Sequence, residues 1–112
     1  MRNMSFMLTA EQVRNRTKTV TRRLGWWFLK PGDRIAACVQ CQGIPKGGTI
    51  EQICEIEIVS ARKERLQDIT QIEVAMEGFP QLSRIGFMEM FTREMKCCYG
   101  DYVNRIEFRY VD

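Results

Sequence analysis

Apolar and polar positions change period several times along the chain, and each change marks an element. Met4 to Leu8 is a short apolar run that reads as a first strand. Thr9 follows as a helix cap, with Gln12 three residues on completing a capping-box pattern. A short helix is expected from there through about Arg14. Residues 15 to 29 have no clear period and read as a long loop with extended pieces. Lys30-Pro31-Gly32-Asp33 is a turn signal. After it Ile35, Ala37, Val39 and Cys41 alternate with Ala36, Cys38 and Gln40, a strand pattern. The run Gly43 to Gly48, GIPKGG, fits a hairpin tip. From Ile53 to Ala61, Cys54, Ile56 and Ile58 share one face while Glu55 and Glu57 share the other, which predicts a half-buried antiparallel strand. Thr70 and Glu73 repeat the capping box and open a helix that ends at Gly78, with Pro80 beyond. Ser83 can cap a third helix with Ile85, Met88, Phe91 and Met95 on one side. Ile106, Phe108 and Tyr110 alternate with Arg105, Glu107 and Arg109 in a final strand. The expected class is α+β, with about five or six mostly antiparallel strands and about three short helices. Short strands around a small core favour a curled sheet or small barrel.

Length and composition narrow the setting. The 112 residues form one expected domain, 1–112. No apolar run approaches the ~20 residues that span a bilayer. The N-terminal apolar patch is too short for a signal peptide. A cytoplasmic location without a membrane partner is therefore expected. Histidine is absent, which excludes Ser-His-Asp and Cys-His catalysis and mixed Cys/His zinc sites. The five cysteines are Cys38, Cys41, Cys54, Cys97 and Cys98. An odd count in a cytosolic chain argues against disulfides. Cys38 and Cys41 lie three apart in a strand-like run, which would point them to opposite faces, and adjacent Cys97 and Cys98 are awkward joint ligands. Buried free thiols are the reading, with no metal and no cofactor.

Charge changes the picture more. From Arg14 to Arg34 there are seven basic residues and one acid, a net of +6, while the rest holds ten basic and thirteen acidic residues, a net of −3. A basic segment on an acidic remainder suits an anion or phosphate ligand; a solvated basic loop is the plainer account. Within it Lys18 and Thr21 are separated by two residues. They share a face on a helical turn but not on a flat strand, so joint action needs a bend. A lysine whose pKa is lowered by burial and by Arg22 and Arg23 can activate a threonine hydroxyl for attack on an acyl group. Trp26 and Trp27, being adjacent, are expected to point one inward and one partly out, and an exposed one could stack on a nucleobase.

The run Arg16-Thr17-Lys18-Thr19-Val20-Thr21-Arg22-Arg23, then Lys30-Pro31-Gly32-Asp33 and a strand, resembles the ASCH domains. So do the Ile69-Thr70 helix ending in Glu77-Gly78-Phe79 and the closing strand Ile106-Glu107-Phe108. The resemblance spans about Ser5 to Tyr110 and is nearest to the small stand-alone members of bacteria and their phages. Their signature is roughly G-x-K-x-x-E-x-R, with Thr in place of Glu in some. Lys18, Thr21 and Arg23 match, and Arg16 occupies the glycine position. The resemblance implies a small PUA-like β-barrel with a cleft lined by the signature loop, and recognition of RNA or a modified base. One bacterial branch hydrolyses the acetamide of N4-acetylcytidine with a Lys, Thr and Glu set. By position this set is Lys18, Thr21 and Glu77, with Arg16 and Arg23 as anion or substrate contacts.

Three functional expectations stand together. The first is binding of RNA, a nucleoside or another anionic ligand through a basic cleft, using Arg16, Arg22, Arg23, Trp26 and Trp27. The second is an amidohydrolase acting on an N4-acylated cytidine through Lys18, Thr21 and Glu77. The third is an accessory protein of phage or bacterial type that binds another protein.

Overall fold

The structure, a computed structural model, describes residues 1–111. Its strands are β1 (Arg2–Ser5), β2 (Val20–Arg23), β3 (Arg34–Cys38), β4 (Gln52–Arg65) and β5 (Tyr102–Tyr110). Its α-helices are α1 (Ala10–Arg14), α2 (Gln71–Met76) and α3 (Arg84–Met95), and short 3-10 turns cover Met7–Thr9 and Leu66–Asp68. The strands form one mixed sheet in the order β1-β3-β4-β5-β2. Only β1 and β3 run parallel; the other pairs are antiparallel. The sheet curls far enough for a side chain to bridge its two edges: Arg23 on β2 donates to the Ser5 carbonyl on β1 at 2.6 Å. A register shift between Ile58 and Ser60 on β4 supplies part of the curl, as an extra residue bends a long strand. The result is a half-barrel with three helices, in line with the α+β expectation.

Alternation divides the apolar residues between two cores. Met4, Phe6, Ile35, Ile56, Ile106 and Phe108 fill the inside of the curl. Leu66, Val74, Phe79, Phe87, Met88 and Val103 join α2 and α3 to the outer face. Each fully buried aliphatic or aromatic side chain is worth roughly 1.5–3 kcal/mol against exposure. β5 serves both cores, with Ile106 and Phe108 turned one way and Val103 the other, as the period of two requires.

Several expectations are corrected. The first strand stops at Ser5, and Met7 and Leu8 turn out to solvent at 60% and 49% exposure. Thr9 precedes α1 but its side chain makes no capping bond, because the 3-10 turn feeds straight into the helix. The long loop contains a strand, β2, and β3 ends at Cys38 rather than Cys41. On α3 the buried stripe is Phe87, Met88 and Phe91, whereas Ile85 and Met95 are exposed. The thiols are mostly not buried: Cys38 is, Cys98 is exposed and the other three are intermediate. The caps at Thr70 and Ser83 form as expected, accepting from Glu73 N at 3.2 Å and Gly86 N at 2.9 Å.

Candidate functional site

Where the two cores do not meet, a cavity of about 290 Å³ opens. Its position follows from how α1 ends. Arg16 N donates to the Val13 carbonyl at 3.1 Å and Thr17 N to the Gln12 carbonyl at 2.9 Å. This is the Schellman pattern, in which the residue at the Arg16 position takes the left-handed conformation. Arg16 does so, with φ 62°. An arginine thus holds a left-handed turn that ordinarily favours glycine. Arg16→Gly is expected to hold stability within about 1 kcal/mol of the parent, while β-branched Arg16→Val costs roughly 1–2 kcal/mol, read by urea unfolding.

The turn delivers Lys18 to the cavity just before β2 becomes regular, so Lys18 and Thr21 reach one hollow despite their odd spacing. The Lys18 carbonyl is held by the Tyr110 hydroxyl at 2.5 Å. Glu77 arrives from the C-terminal end of α2. Gly78 beyond it has φ 102°, and a Cβ there would lie 2.9 Å from Gln12 Cγ. Glycine is needed for that close approach, which seats α2 against α1.

In the floor Lys18 Nζ donates to Glu77 Oε1 at 2.9 Å and to the Glu77 carbonyl at 2.7 Å. Both side chains are all but excluded from solvent, at 3% and 4% exposure. Burial pushes the Lys18 amine below the ordinary lysine value; Glu77 opposes this, and Arg23 and Arg22 add to it. Thr21 Oγ1 accepts from Arg23 Nε at 3.3 Å. Burial holds the Arg23 guanidinium down at about 10, so it remains a cation at neutral pH. Among the described residues no hydrogen bond joins Lys18 to Thr21. The walls are apolar: Phe6 on the sheet side, with Phe79, Phe87 and Phe91 opposite. Met7, Leu8, Met90, Glu94 and Met95 form the mouth.

Arg22 is placed differently from a substrate contact. Its guanidinium bonds to Glu64 at 2.7 Å, Glu73 at 2.8 Å and Glu77 at 3.0 Å, and it is 1% exposed. Burial works against its charge, and the three carboxylates outweigh burial and raise its pKa. Arg105 joins the cluster through two bonds to Glu73 at 2.9 and 2.8 Å. The hydrogen bonds from Arg105, and then from Arg22, hold the Glu73 carboxyl at about 2, far below its ordinary 4.5. A depressed carboxylate contributes stability that is complete above the unfolded value and disappears as pH falls through the folded one. Unfolding free energy is therefore expected to drop between pH 4.5 and 2, and Glu73→Gln to flatten that slope in a urea series. An unchanged slope in the variant would count against the cluster.

The other candidates lie outside the cavity. Arg16 lies over the Tyr110 ring at 5.4 Å. Trp26 packs against the first core, and Trp27 is 53% exposed. The structure therefore brings together Lys18, Thr21, Glu77, Arg22 and Arg23, and leaves Arg16, Trp26 and Trp27 away from that hollow. Glu64, Glu73 and Arg105 escaped sequence reasoning, since ion pairs between distant elements leave no periodic trace. Among the described residues no cluster of three or more acidic or thiol side chains is placed to hold a metal ion. Nor, among them, is any helix long and apolar enough to cross a membrane.

The whole architecture has counterparts among solved structures. A protein of Enterococcus faecalis V583, described under the family model DUF984, superposes with a TM-score of 0.65 at 13% identity, over 100% of this chain and 77% of that one. An ASCH domain from Lactobacillus crispatus JV V101 superposes with a TM-score of 0.63 at 17% identity, over 97% of this chain and 78% of that one. No family model and no curated protein matches the chain. At these identities the likeness is one of fold, and the curled five-stranded sheet with its three helices is an ASCH-like fold.

Proposed function

We propose that the cavity binds a modified pyrimidine nucleoside and hydrolyses an acyl amide on it, with N4-acetylcytidine as the model substrate. The observation that carries this reading is the buried Lys18–Glu77 contact in a hollow that Thr21 also lines. The volume is near the lower end, ~300 Å³, of pockets that hold small ligands. Apolar walls and a few convergent polar groups suit one flat base. They suit a phosphate backbone poorly, because three of the cations in the basic segment, Lys18, Arg22 and Arg23, are turned inward.

The chemistry uses the pair as a unit. Transfer of one proton from Nζ to Oε1 across 2.9 Å gives a neutral amine and a carboxylic acid. Exclusion of water lowers the cost of that neutral form. The amine then takes the Thr21 proton as Oγ1 attacks the acyl carbon. Arg23, already beside Oγ1, steadies the developing negative charge. The C–N bond breaks as Glu77 protonates the leaving exocyclic amine, leaving an acyl ester on Thr21. Glu77, now a carboxylate, draws a proton from water, which attacks the ester. Acetate departs, and the Lys18 ammonium returns the proton to Oγ1.

A second reading, binding without turnover, is favoured by Thr21 accepting from Arg23 while the Lys18 amine is engaged by Glu77. Incubation with N4-acetylcytidine separates the two. Acetate and cytidine in equal amounts support hydrolysis; saturable binding with no acetate supports recognition alone.

A further inference from the structure

The cavity floor holds more hydrogen-bond donors than the chain uses. A lysine ammonium carries three hydrogens, and Lys18 Nζ directs two of them, to the carbonyl and to Oε1 of Glu77. Arg23 gives Nε to Thr21 Oγ1 at 3.3 Å and Nη2 to the Ser5 carbonyl at 2.6 Å. Its Nη1 donates to nothing among the described residues. No buried side-chain nitrogen there lacks a partner, so Nη1 is not sealed into the packing. Arg23 borders this cavity and a shallower hollow beside Trp26. The Thr21 hydroxyl accepts from Arg23, and its own hydrogen has no acceptor among the described residues. The acceptors, by contrast, are engaged: Glu77 takes Lys18 on Oε1 and Arg22 on Oε2.

The charges of the floor do not cancel. Lys18 is matched by Glu77, and Arg22 stands among three carboxylates. Arg23 lies over the Phe6 ring, 4.8 Å from its centre, and forms no ion pair among the described residues. A cation withdrawn from water without a counter-ion is costly, and an anion from outside relieves that cost. Above the floor the cavity turns apolar. Phe79, Phe87 and Phe91 follow one another along one wall, with neighbouring ring centres 5.8 and 6.0 Å apart. At the mouth Met7, Leu8 and Met95 are 60%, 49% and 40% exposed. An apolar chain running out from the floor covers these side chains, and methionine adapts its shape to such a chain. Glu94 at the mouth repels an anion, so a negative head belongs on the floor beside Arg23.

We propose that the cavity binds a carboxylate with an apolar tail, such as a medium-chain fatty acid. The head accepts from Arg23, Thr21 and Lys18, and the tail lies along the phenylalanine wall to the methionine mouth. A carboxylate suits the floor because it brings acceptors only, together with the charge that Arg23 is missing. The amide of the same chain matches the tail, but it brings no charge and sets further donors among donors. Such an acid is also the product of an acyl amide cleaved at Thr21; this last step rests on the reading of the cavity given above, and the binding of the acid does not.

The test is isothermal titration calorimetry with butanoate, hexanoate and octanoate, and with hexanamide as the uncharged match. Affinity of the parent for the acids is expected to rise about 4-fold with each added methylene. Hexanamide is expected to bind about 10-fold or more weakly than hexanoate. Arg23→Gln brings hexanoate down to the level of hexanamide. Met7→Gln/Met95→Gln, at two exposed side chains, flattens the rise from butanoate to octanoate. No saturable binding of octanoate, one affinity along the whole series, hexanamide as tight as hexanoate, or parental binding by either variant would overturn the proposal. The comparison of acid with amide is made on the parent, so it decides the matter even where Arg23→Gln does not fold. No turnover is read, so failure of the cavity's chemistry and failure of carboxylate binding are seen separately.

Discussion

Under the proposed chemistry, Thr21→Val is expected to lower kcat/KM for acetate release from N4-acetylcytidine by roughly three orders of magnitude or more, or ~4 kcal/mol of transition-state stabilisation. Valine keeps the branched shape that β2 accommodates and removes the hydroxyl that lies beside Arg23 in the cavity. The substitution also leaves Arg23 Nε without its acceptor. An orphaned buried donor costs about 1–3 kcal/mol of stability. Activity must therefore be read where the variant is fully folded, as checked by circular dichroism. Thr21→Ser keeps the nucleophile and is expected to retain turnover. If Thr21→Val turns over like the parent, Thr21 is not the nucleophile and the covalent route is wrong.

Arg22→Met is the substitution expected to harm the fold most. It leaves Glu64, Glu73 and Glu77 around an uncharged side chain in a region that water scarcely reaches. Breaking a buried charge cluster from one side costs up to ~3–5 kcal/mol, and here three carboxylates are left with only Lys18, Arg105 and the more distant Arg62 to balance them. That is a large part of the ~5–15 kcal/mol that holds a domain together. The penalty should shrink in mild acid. Without the guanidinium Glu73 loses one of the two arginines that hold its carboxyl down, so protonating it in acid relieves part of the cost. Arg22→Lys keeps the charge but not the fork that reaches three partners, and should fall between parent and Arg22→Met. Urea unfolding of all three proteins at neutral and mildly acidic pH reads the effect. An Arg22→Met protein as stable as the parent at neutral pH would mean that the cluster contributes nothing net.

These two residues also mark where sequence reasoning succeeds and where it stops. β4 and β5 could be read from alternation, because one face of each is buried against apolar neighbours. The helices after Thr70 and Ser83 could be read from their caps, which are local devices. β2 could not. Its sequence Val20-Thr21-Arg22-Arg23 looks like a solvated basic stretch, yet three of its four residues are buried. Arg22 is buried by ion pairs with Glu64, Glu73 and Glu77, which come from other elements and carry no period. For the same reason the +6 segment reads as an exposed anion-binding surface when much of its charge is neutralised inside. Spacing alone left Lys18 and Thr21 on opposite faces of a strand, and resemblance alone put them with Glu77. The physical reason they share a cavity is the left-handed turn at Arg16, which positions Lys18 ahead of the regular part of β2.

If an acyl group passes through Thr21, acid-quenching the protein during turnover of N4-acetylcytidine and mapping its peptides by mass spectrometry will catch it there. An acetyl ester on Thr21 is expected to form with substrate and to be lost when substrate is exhausted. Steady acetate release with Thr21 never acetylated, or an acetyl group carried on Lys18 instead, would contradict it.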